Sequence, residues 1–328
     1  MKQRQIGKTD VFVTDLAFGA SGIGNMGRMV SDEEANTVLE RAWAEGIRYF
    51  DTAPHYGRGL SEKRLGRFLK QKNRDDFVLS TKVGRVLSPG PALEEADGFI
   101  NPLPNTVRYD YSGDGLEASL EHSLELLQVT HVDIVYIHDI GAYTHGARND
   151  RHMAQLLGSG IGRLQDLKQR GKIRAFGLGV NETGVCLDIL KQAELDVILL
   201  AGRLTLLDRQ AESELVDVCR ARETSLVLGG IFNSGILATG PVEGAWYDYQ
   251  PASREILEKV IVLKRQFEAL AVPLPTAALH FARRHPSAAS VLMGTAKVSS
   301  LERNLVALAR ELPADCLRLF DHGTEKSV

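Results

Sequence analysis

Eight short apolar runs, most followed by a stretch of helical period, recur along this 328-residue sequence and restrict its architecture more than any other feature. The runs fall near 16–18 and at 47–51, 77–82, 132–138, 174–179, 197–201, 225–230 and 290–294. Helical patterns fit 32–45, 62–70, 116–127, 161–170, 183–191, 211–222, 253–270, 275–284 and 299–310. The first helix is announced by Ser31-Asp32-Glu33-Glu34, where Ser31 caps the first turn and Glu34 can bond back to it. Ahead of the first run, RQIGKTDVFVT reads as a small hairpin turning at Gly7 to Asp10. Repeated βα units argue for parallel strands, and a count of eight predicts an α/β chain closed as a (β/α)8 TIM barrel with an N-terminal β-hairpin. An open doubly wound sheet would show the same alternation. No linker rich in Pro, Gly or Ser divides the chain, so one domain over 1–328 is expected.

The remaining composition excludes several function classes. A formal net charge of −3 with scattered Lys and Arg gives nothing to recruit nucleic acid or an anionic membrane. No run approaches the roughly 18 apolar residues of a membrane span. The three cysteines, Cys186, Cys219 and Cys316, lie far apart without CxxC spacing, so neither a disulfide framework nor a metal site is expected. With no apolar stretch behind the charges of MKQRQIGKTD, a cytoplasmic chain acting on a small molecule, as monomer or homodimer, is the expectation.

Three long segments follow strand ends, at 84–111, 139–158 and 231–250, and in a barrel these would frame an active site at the C-terminal face. Tyr109, Tyr111, Trp246, Tyr247 and Tyr249 lie in two of them, and Trp246 and Tyr247 are candidates to wall a substrate pocket. Asp139, His145, Asn149 and Arg151 supply polar groups suited to a sugar. The segment Gly22-Ile23-Gly24-Asn25-Met26-Gly27 matches the GxGxxG of dinucleotide-binding folds, with Asp51 at the end of the next strand. That motif should run straight into a helix, whereas here the capping box starts the helix about five residues later, so the pattern matches and its mechanism does not.

Polar residues at strand ends carry the chemistry. Asp51, Lys82 and His138 close the second, third and fourth strands, and Tyr56 follows Asp51 on the next loop. Adjacent barrel strands would bring all four to one rim. A phenol, with a pKa of about 10, is too weak a base near neutrality. A lysine ammonium beside it favours the phenolate, and a carboxylate keeps that lysine charged. Tyr56 could then exchange a proton with a hydroxyl or carbonyl oxygen while His138 fixes that oxygen's direction.

The segment FDTAPHYGRGLSEKRLG at 50–66, STKVG at 80–84, VYIHDI at 135–140 and MGTAKVSSLERN at 293–304 resemble the aldo-keto reductases. That resemblance implies a catalytic set of Asp51, Tyr56, Lys82 and His138, the same four residues. It also implies a nicotinamide nucleotide over the C-terminal barrel face. Asn181 would hold its carboxamide, Asn233, Ser234 and Gly235 its pyrophosphate, and Gly294, Thr295, Ala296 and Asn304 its adenosine half. His55, beside Tyr56, would line the substrate pocket. Where the family commonly has Ser-Asn after strand five, this chain has Val180-Asn181, and Ala201 or Gly202 replaces a usual Gln. The Lys and Arg that hold a 2′-phosphate in many members correspond here to Gly294 and Ser300, which implies NAD preference over NADP; Lys297 and Arg303 are the nearby cations.

AFGASGIGNM, APHYGRGLSE, YDYSGDG and LLAGRLTLLD are similar to the D-threo-aldose 1-dehydrogenase branch, which acts on L-fucose, L-galactose and D-arabinose and includes a pyridoxal 4-dehydrogenase. The reaction implied is oxidation of a hemiacetal carbon to a lactone. The alternatives are a pyridoxal oxidoreductase and a regulatory subunit that senses nicotinamide redox state.

Overall fold

The computed structural model describes residues 1–322; residues 323–328, the end of the expected 1–328 domain, lie outside the described residues. All eight anticipated runs are strands of a single closed, parallel barrel. They are β1 (Leu16–Gly19), β2 (Tyr49–Asp51), β3 (Val78–Val83), β4 (Ile134–His138), β5 (Ala175–Val180), β6 (Val197–Ala201), β7 (Ser225–Gly229) and β8 (Ala288–Gly294). The ring closes where β8 pairs with β1, Gly294 opposite Gly19. Closure excludes the open doubly wound sheet.

Each strand buries both faces, which explains why these runs are continuously apolar rather than alternating. Outward side chains such as Phe18, Phe50, Leu79, Val135 and Ile198 join the layer between strands and helices. Inward ones, including Tyr49, Tyr136, Val197 and Val227, fill the barrel interior. The hairpin of Gln3–Gln5 and Phe12–Thr14 places Ile6, Val11 and Val13 against that interior cluster and so plugs the N-terminal end of the barrel. The C-terminal end is left open for a site.

The surrounding helices are α1 (Asp32–Ala44), α2 (Leu60–Leu69), α3 (Gly113–Leu127), α4 (Ile161–Gln169), α5 (Thr183–Leu190), α6 (Leu215–Arg222), α7 (Arg254–Glu268), α8 (Leu274–Arg284), α9 (Val298–Ala309) and α10 (Ala314–His322). Both hydrogen bonds of the anticipated capping box at Ser31 and Glu34 are present. α10 is the one long helix the periodicity did not separate. Its buried Cys316 and Phe320 pack with Phe267 and Phe281 in a second apolar cluster outside the barrel.

The three long segments are more ordered than loops of that length suggest. Residues 84–111 form a hairpin of Arg85–Pro89 with Asn105–Tyr109, capped by a smaller one of Glu95–Ala96 with Phe99–Ile100. The segment at 139–158 is mostly helical: Asn149–Gln155 passes through a π-turn at Leu156–Gly160 directly into α4. In the third, a short helix at Ile236–Thr239 precedes a two-residue ladder of Trp246–Tyr247 with Gln250–Pro251.

Candidate active site

A cavity of about 570 Å³ opens at the C-terminal ends of the strands, within the usual size of a small-ligand site. Tyr56, Lys82 and His138 line it, with Asp51 buried directly beneath. Lys82 Nζ donates to Asp51 Oδ2 at 2.6 Å and to the Thr52 carbonyl at 2.9 Å, and lies 4.9 Å from the Tyr56 ring centre. The other carboxylate oxygen of Asp51 accepts from Ser80 Oγ at 2.7 Å, and Ser80 adjoins a hydroxyl pair, Tyr49 with Tyr136 at 2.7 Å. Strand register explains the meeting, since Asp51 is paired with Ser80 and Lys82 with Tyr136.

The loop after β2 aims Tyr56 into this cavity through backbone that only glycine tolerates well. Gly57, Arg58 and Gly59 follow the tyrosine with φ of +64°, +52° and +99°. A Cβ on Gly57 would sit 2.4 Å from the Gly24 carbonyl oxygen, and one on Gly24 2.9 Å from that of Tyr56. Within the GxGxxG segment, Gly24 therefore serves close backbone approach to the tyrosine loop, while a Cβ on Gly22 would meet Ala296 N at 3.0 Å. The segment forms a 3-10 turn at Gly22–Gly24 rather than opening a helix. Arg64 of α2 fastens it, donating to the carbonyls of Ile23 and Val30 and to Asn25 Oδ1 at 2.6, 2.7 and 2.9 Å. Sequence reasoning passed over Arg64, although the GLSEKRLG segment contains it.

Electrostatics corrects one expectation. Burial pushes the Tyr56 phenol up to about 12; the Lys82 charge pulls it down without overcoming that cost, and Asp51 adds to the rise. Lys82 lowers the phenol relative to a site without it, but does not bring it below its ordinary value. Tyr56 is thus a proton donor at rest. Burial likewise raises Asp51 against the pull of Lys82. For Lys82 burial works against the charge, and Asp51 and Tyr56 outweigh it, so the ammonium persists. His138 is held well below its ordinary value by burial and by the nearby charges of Arg85 and Lys82, and is neutral. Its Nε2 lies 3.4 Å from Asp139 Oδ2, while its buried Nδ1 has no partner among the described residues.

Supporting residues come from the long segments. Tyr111, fully buried, donates to the His138 carbonyl at 2.7 Å and contacts His145 Nε2 at 2.8 Å. Phe99 packs edge-on against His55, ring centres 5.3 Å apart, and 6.0 Å from Tyr56. Arg85 bonds His55 Nδ1 at 3.1 Å and pairs with Asp139. Periodicity could not single out Arg85, because it begins a strand inside what read as a loop.

Of the substrate candidates, His55 lines the cavity, whereas Trp246 and Tyr247 do not. Trp246 is half exposed, and Tyr247 turns away to donate to Asp208 Oδ2 at 2.8 Å. Beside Tyr56 and Phe232, the aromatics that do line the cavity are Tyr249 and Tyr143, brought together because Arg203 grips Asp248 with bonds of 2.8 and 2.9 Å and Tyr143 donates to the Asp248 carbonyl at 3.4 Å. Among the polar candidates Asp139 lines the cavity; His145, Asn149 and Arg151 do not.

The cofactor candidates largely follow one wall. Asn181, Asn233, Ser234, Gly235, Gly294 and Asn304 line the cavity, with Ala201 beside Asn181; Thr295 and Ala296 lie just beyond it. Asn233 has its amide committed, accepting from Thr205 Oγ1 at 2.6 Å and donating to the Gly202 carbonyl at 3.0 Å, so it holds the loop rather than offering a side chain. Gly229, Gly230, Gly235 and Gly294 line an extended cleft without side chains, and its amide and hydroxyl groups are Asn181, which donates to Tyr249 Oη at 3.3 Å, Ser234, whose Oγ accepts from the Tyr249 amide at 3.0 Å, and Asn304. Those donors and that cradle fit a nicotinamide nucleotide. No helix among the described residues is long and apolar enough to cross a membrane, and no cluster of three or more metal-ligating side chains occurs among them.

Comparison with known proteins agrees with the barrel fold. The sequence is 38% identical over 95% of this chain and 94% of the other to a pyridoxal 4-dehydrogenase of Microbacterium luteolum. It is 37% identical over 91% and 90% to a D-threo-aldose 1-dehydrogenase of a Pseudomonas species. Among solved structures, the holo form of an aldo-keto reductase from Bacillus halodurans superimposes with a TM-score of 0.77 at 26% identity, covering 98% of this chain and 95% of that one. The profile of the Aldo/keto reductase family matches residues 15–322. The chain is a member of the aldo/keto reductase family, an oxidoreductase whose relatives imply a nicotinamide cofactor.

Proposed function

We propose that the chain oxidises the hemiacetal carbon of an aldose of the L-fucose, D-arabinose or L-galactose type to a lactone, with NAD as the preferred cofactor. The observation that carries the reading is the convergence of Tyr56, Lys82 and His138 on one cavity above the buried Asp51–Lys82 pair. The bound nicotinamide supplies the hydride acceptor. Tyr56 exchanges the proton of the hemiacetal hydroxyl, Lys82 lowers the cost of its phenolate, and Asp51 keeps Lys82 charged and directed. Neutral His138 orients the same oxygen. Asn181 would hold the carboxamide, and Ser234, Gly235, Gly294 and Asn304 the rest of the nucleotide.

NAD preference is supported by Gly294 and Ser300, neither of which offers a cation. Arg303 is turned to Ser300 Oγ at 3.0 Å, and Arg28, which donates to the Ala296 carbonyl at 3.4 Å, is shared with Glu34 at 3.2 Å. A carboxylate beside the guanidinium opposes a 2′-phosphate there.

Pyridoxal is the second reading, favoured by the 38%-identical relative and by the apolar wall of Phe232, Ile231, Tyr249 and Tyr143. The test follows reduction of NAD⁺ and NADP⁺ with L-fucose, D-arabinose, L-galactose, D-glucose and pyridoxal, with nucleotide affinities measured separately by fluorescence titration. Turnover of the L-fucose-like sugars supports the first reading and turnover of pyridoxal alone the second. Bound nucleotide with no turnover would bring forward a redox-sensing role. A tighter fit for NADP⁺ would reverse the cofactor assignment.

A further inference from the structure

His55 forms one corner of a triangle of rings around the reacting position. Its centroid is 6.2 Å from Tyr56 and 5.9 Å from His138, and those two are 6.1 Å apart. An oxygen held between Tyr56 and His138 therefore has the His55 ring as a neighbour, along with Lys82 and Asp139. The state of that imidazole is set from behind. Arg85 Nη1 lies 3.1 Å from His55 Nδ1, and a guanidinium has hydrogens to donate and nothing with which to accept. Nδ1 must then offer its lone pair.

The arrangement is rigid. Arg85 is buried, its other terminal nitrogen is bound to Asp139 Oδ2, and its guanidinium rests 4.9 Å from the Tyr109 ring centre. Burial and the charges of Arg85 and Lys82 also hold His55 down at about 3, so it remains neutral across the physiological range. A neutral imidazole that accepts at Nδ1 carries its proton on Nε2. The nitrogen away from Arg85 is a hydrogen-bond donor on a ring that lines the cavity.

We propose that Arg85, braced by Asp139, fixes His55 as the Nε2–H tautomer, and that His55 thereby selects substrates bearing an acceptor oxygen on the carbon next to the one oxidised. In an aldose this is the 2-hydroxyl. The inference deepens the proposed reaction and rests on it for the identity of the sugar, but the tautomer stands independently. His55 is the specificity-determining group, and Arg85 is a positioning residue that acts through it.

The first measurement is nitrogen NMR of the protein labelled at histidine. The expected pattern for His55 is a pyridine-like Nδ1 and a pyrrole-like Nε2, with the preference lost in Arg85→Met. A protonated Nδ1 in the parent protein overturns the proposal. The second compares D-arabinose with 2-deoxy-D-ribose, which lacks only the 2-hydroxyl. One neutral hydrogen bond predicts a kcat/KM preference of roughly tenfold for the hydroxylated sugar. His55→Phe, which keeps a ring against Phe99, should bring the ratio to near one, and His55→Gln, whose amide can donate in place of Nε2–H, should restore it. A ratio near one in the parent enzyme, or one unchanged in His55→Phe, contradicts the selection. If neither sugar is oxidised, the same comparison is made by reducing glycolaldehyde and acetaldehyde. A preference for glycolaldehyde that needs His55 would support this inference while removing the aldose reading, and equal rates would overturn it.

Discussion

Lys82→Met removes the cation from a pair whose side chains are 2% and 0% exposed and whose charged atoms are 2.6 Å apart. Two effects follow, with different pH signatures. The first is on stability, because breaking a buried pair by deleting one partner typically costs about 3–5 kcal/mol. Burial already raises Asp51 above its ordinary 3.8 with Lys82 present, and without Lys82 it rises further. A carboxyl raised on folding favours the folded state while it is protonated and loses that contribution as pH climbs through its folded value. The loss of melting temperature in Lys82→Met should thus be smallest at acid pH and grow towards neutrality.

The second effect is on the phenol. Tyr56 stands at about 12 with Lys82 pulling it down, and each further unit is a tenfold loss of phenolate, about 1.4 kcal/mol. Oxidation at mildly alkaline pH should fall on the order of 10²-fold or more, with the alkaline limb of the kcat profile displaced upward. Stopped-flow turnover across pH, together with calorimetric melting, reads both effects. The double variant Lys82→Met with Asp51→Asn should recover much of the stability and none of the rate. A Lys82→Met enzyme with an unmoved alkaline limb and nearly full kcat would refute the reasoning.

Three further outcomes follow. Gly57→Ala must place a Cβ 2.4 Å from the Gly24 carbonyl oxygen at a φ of +64°, so it should lower the melting temperature, by about 1–3 kcal/mol of stability, and reduce kcat by displacing Tyr56. Trp246→Ala alters a half-exposed side chain outside the cavity and should leave substrate KM within about twofold, since surface changes of this kind are nearly neutral. Arg203→Met removes both bonds to Asp248 and frees the segment carrying Tyr249, so nucleotide should dissociate faster in stopped-flow fluorescence while the barrel's melting changes little.

The barrel was legible because parallel strands buried on both faces leave unbroken apolar runs, and all eight of those runs are strands. The polar residues that close them, Asp51, Lys82 and His138, were legible for the same reason: each ends an apolar run whose register the fold fixes. The long segments were not. Trp246 and Tyr247 read as pocket walls by residue type alone, and which tyrosine faces the cavity depends on the Arg203–Asp248 grip, between residues 45 apart in sequence. Arg85 and Arg64 carry no periodic signal, since their roles come from what they reach across the fold. The balance at Tyr56 was also hidden, because the burial that raises the phenol exists only in the closed structure. The GxGxxG segment shows the reverse case, a familiar pattern in which Gly24 serves close packing against the Tyr56 loop and Gly22 against Thr295 and Ala296.

The central claim is that Tyr56 moves the proton while the rest of the site binds and orients. Tyr56→Phe removes one oxygen from a ring that keeps its packing on Phe99, so NAD⁺ affinity by fluorescence titration should be nearly unchanged while kcat for the turned-over sugar or pyridoxal falls by orders of magnitude. Full turnover by Tyr56→Phe would contradict the account.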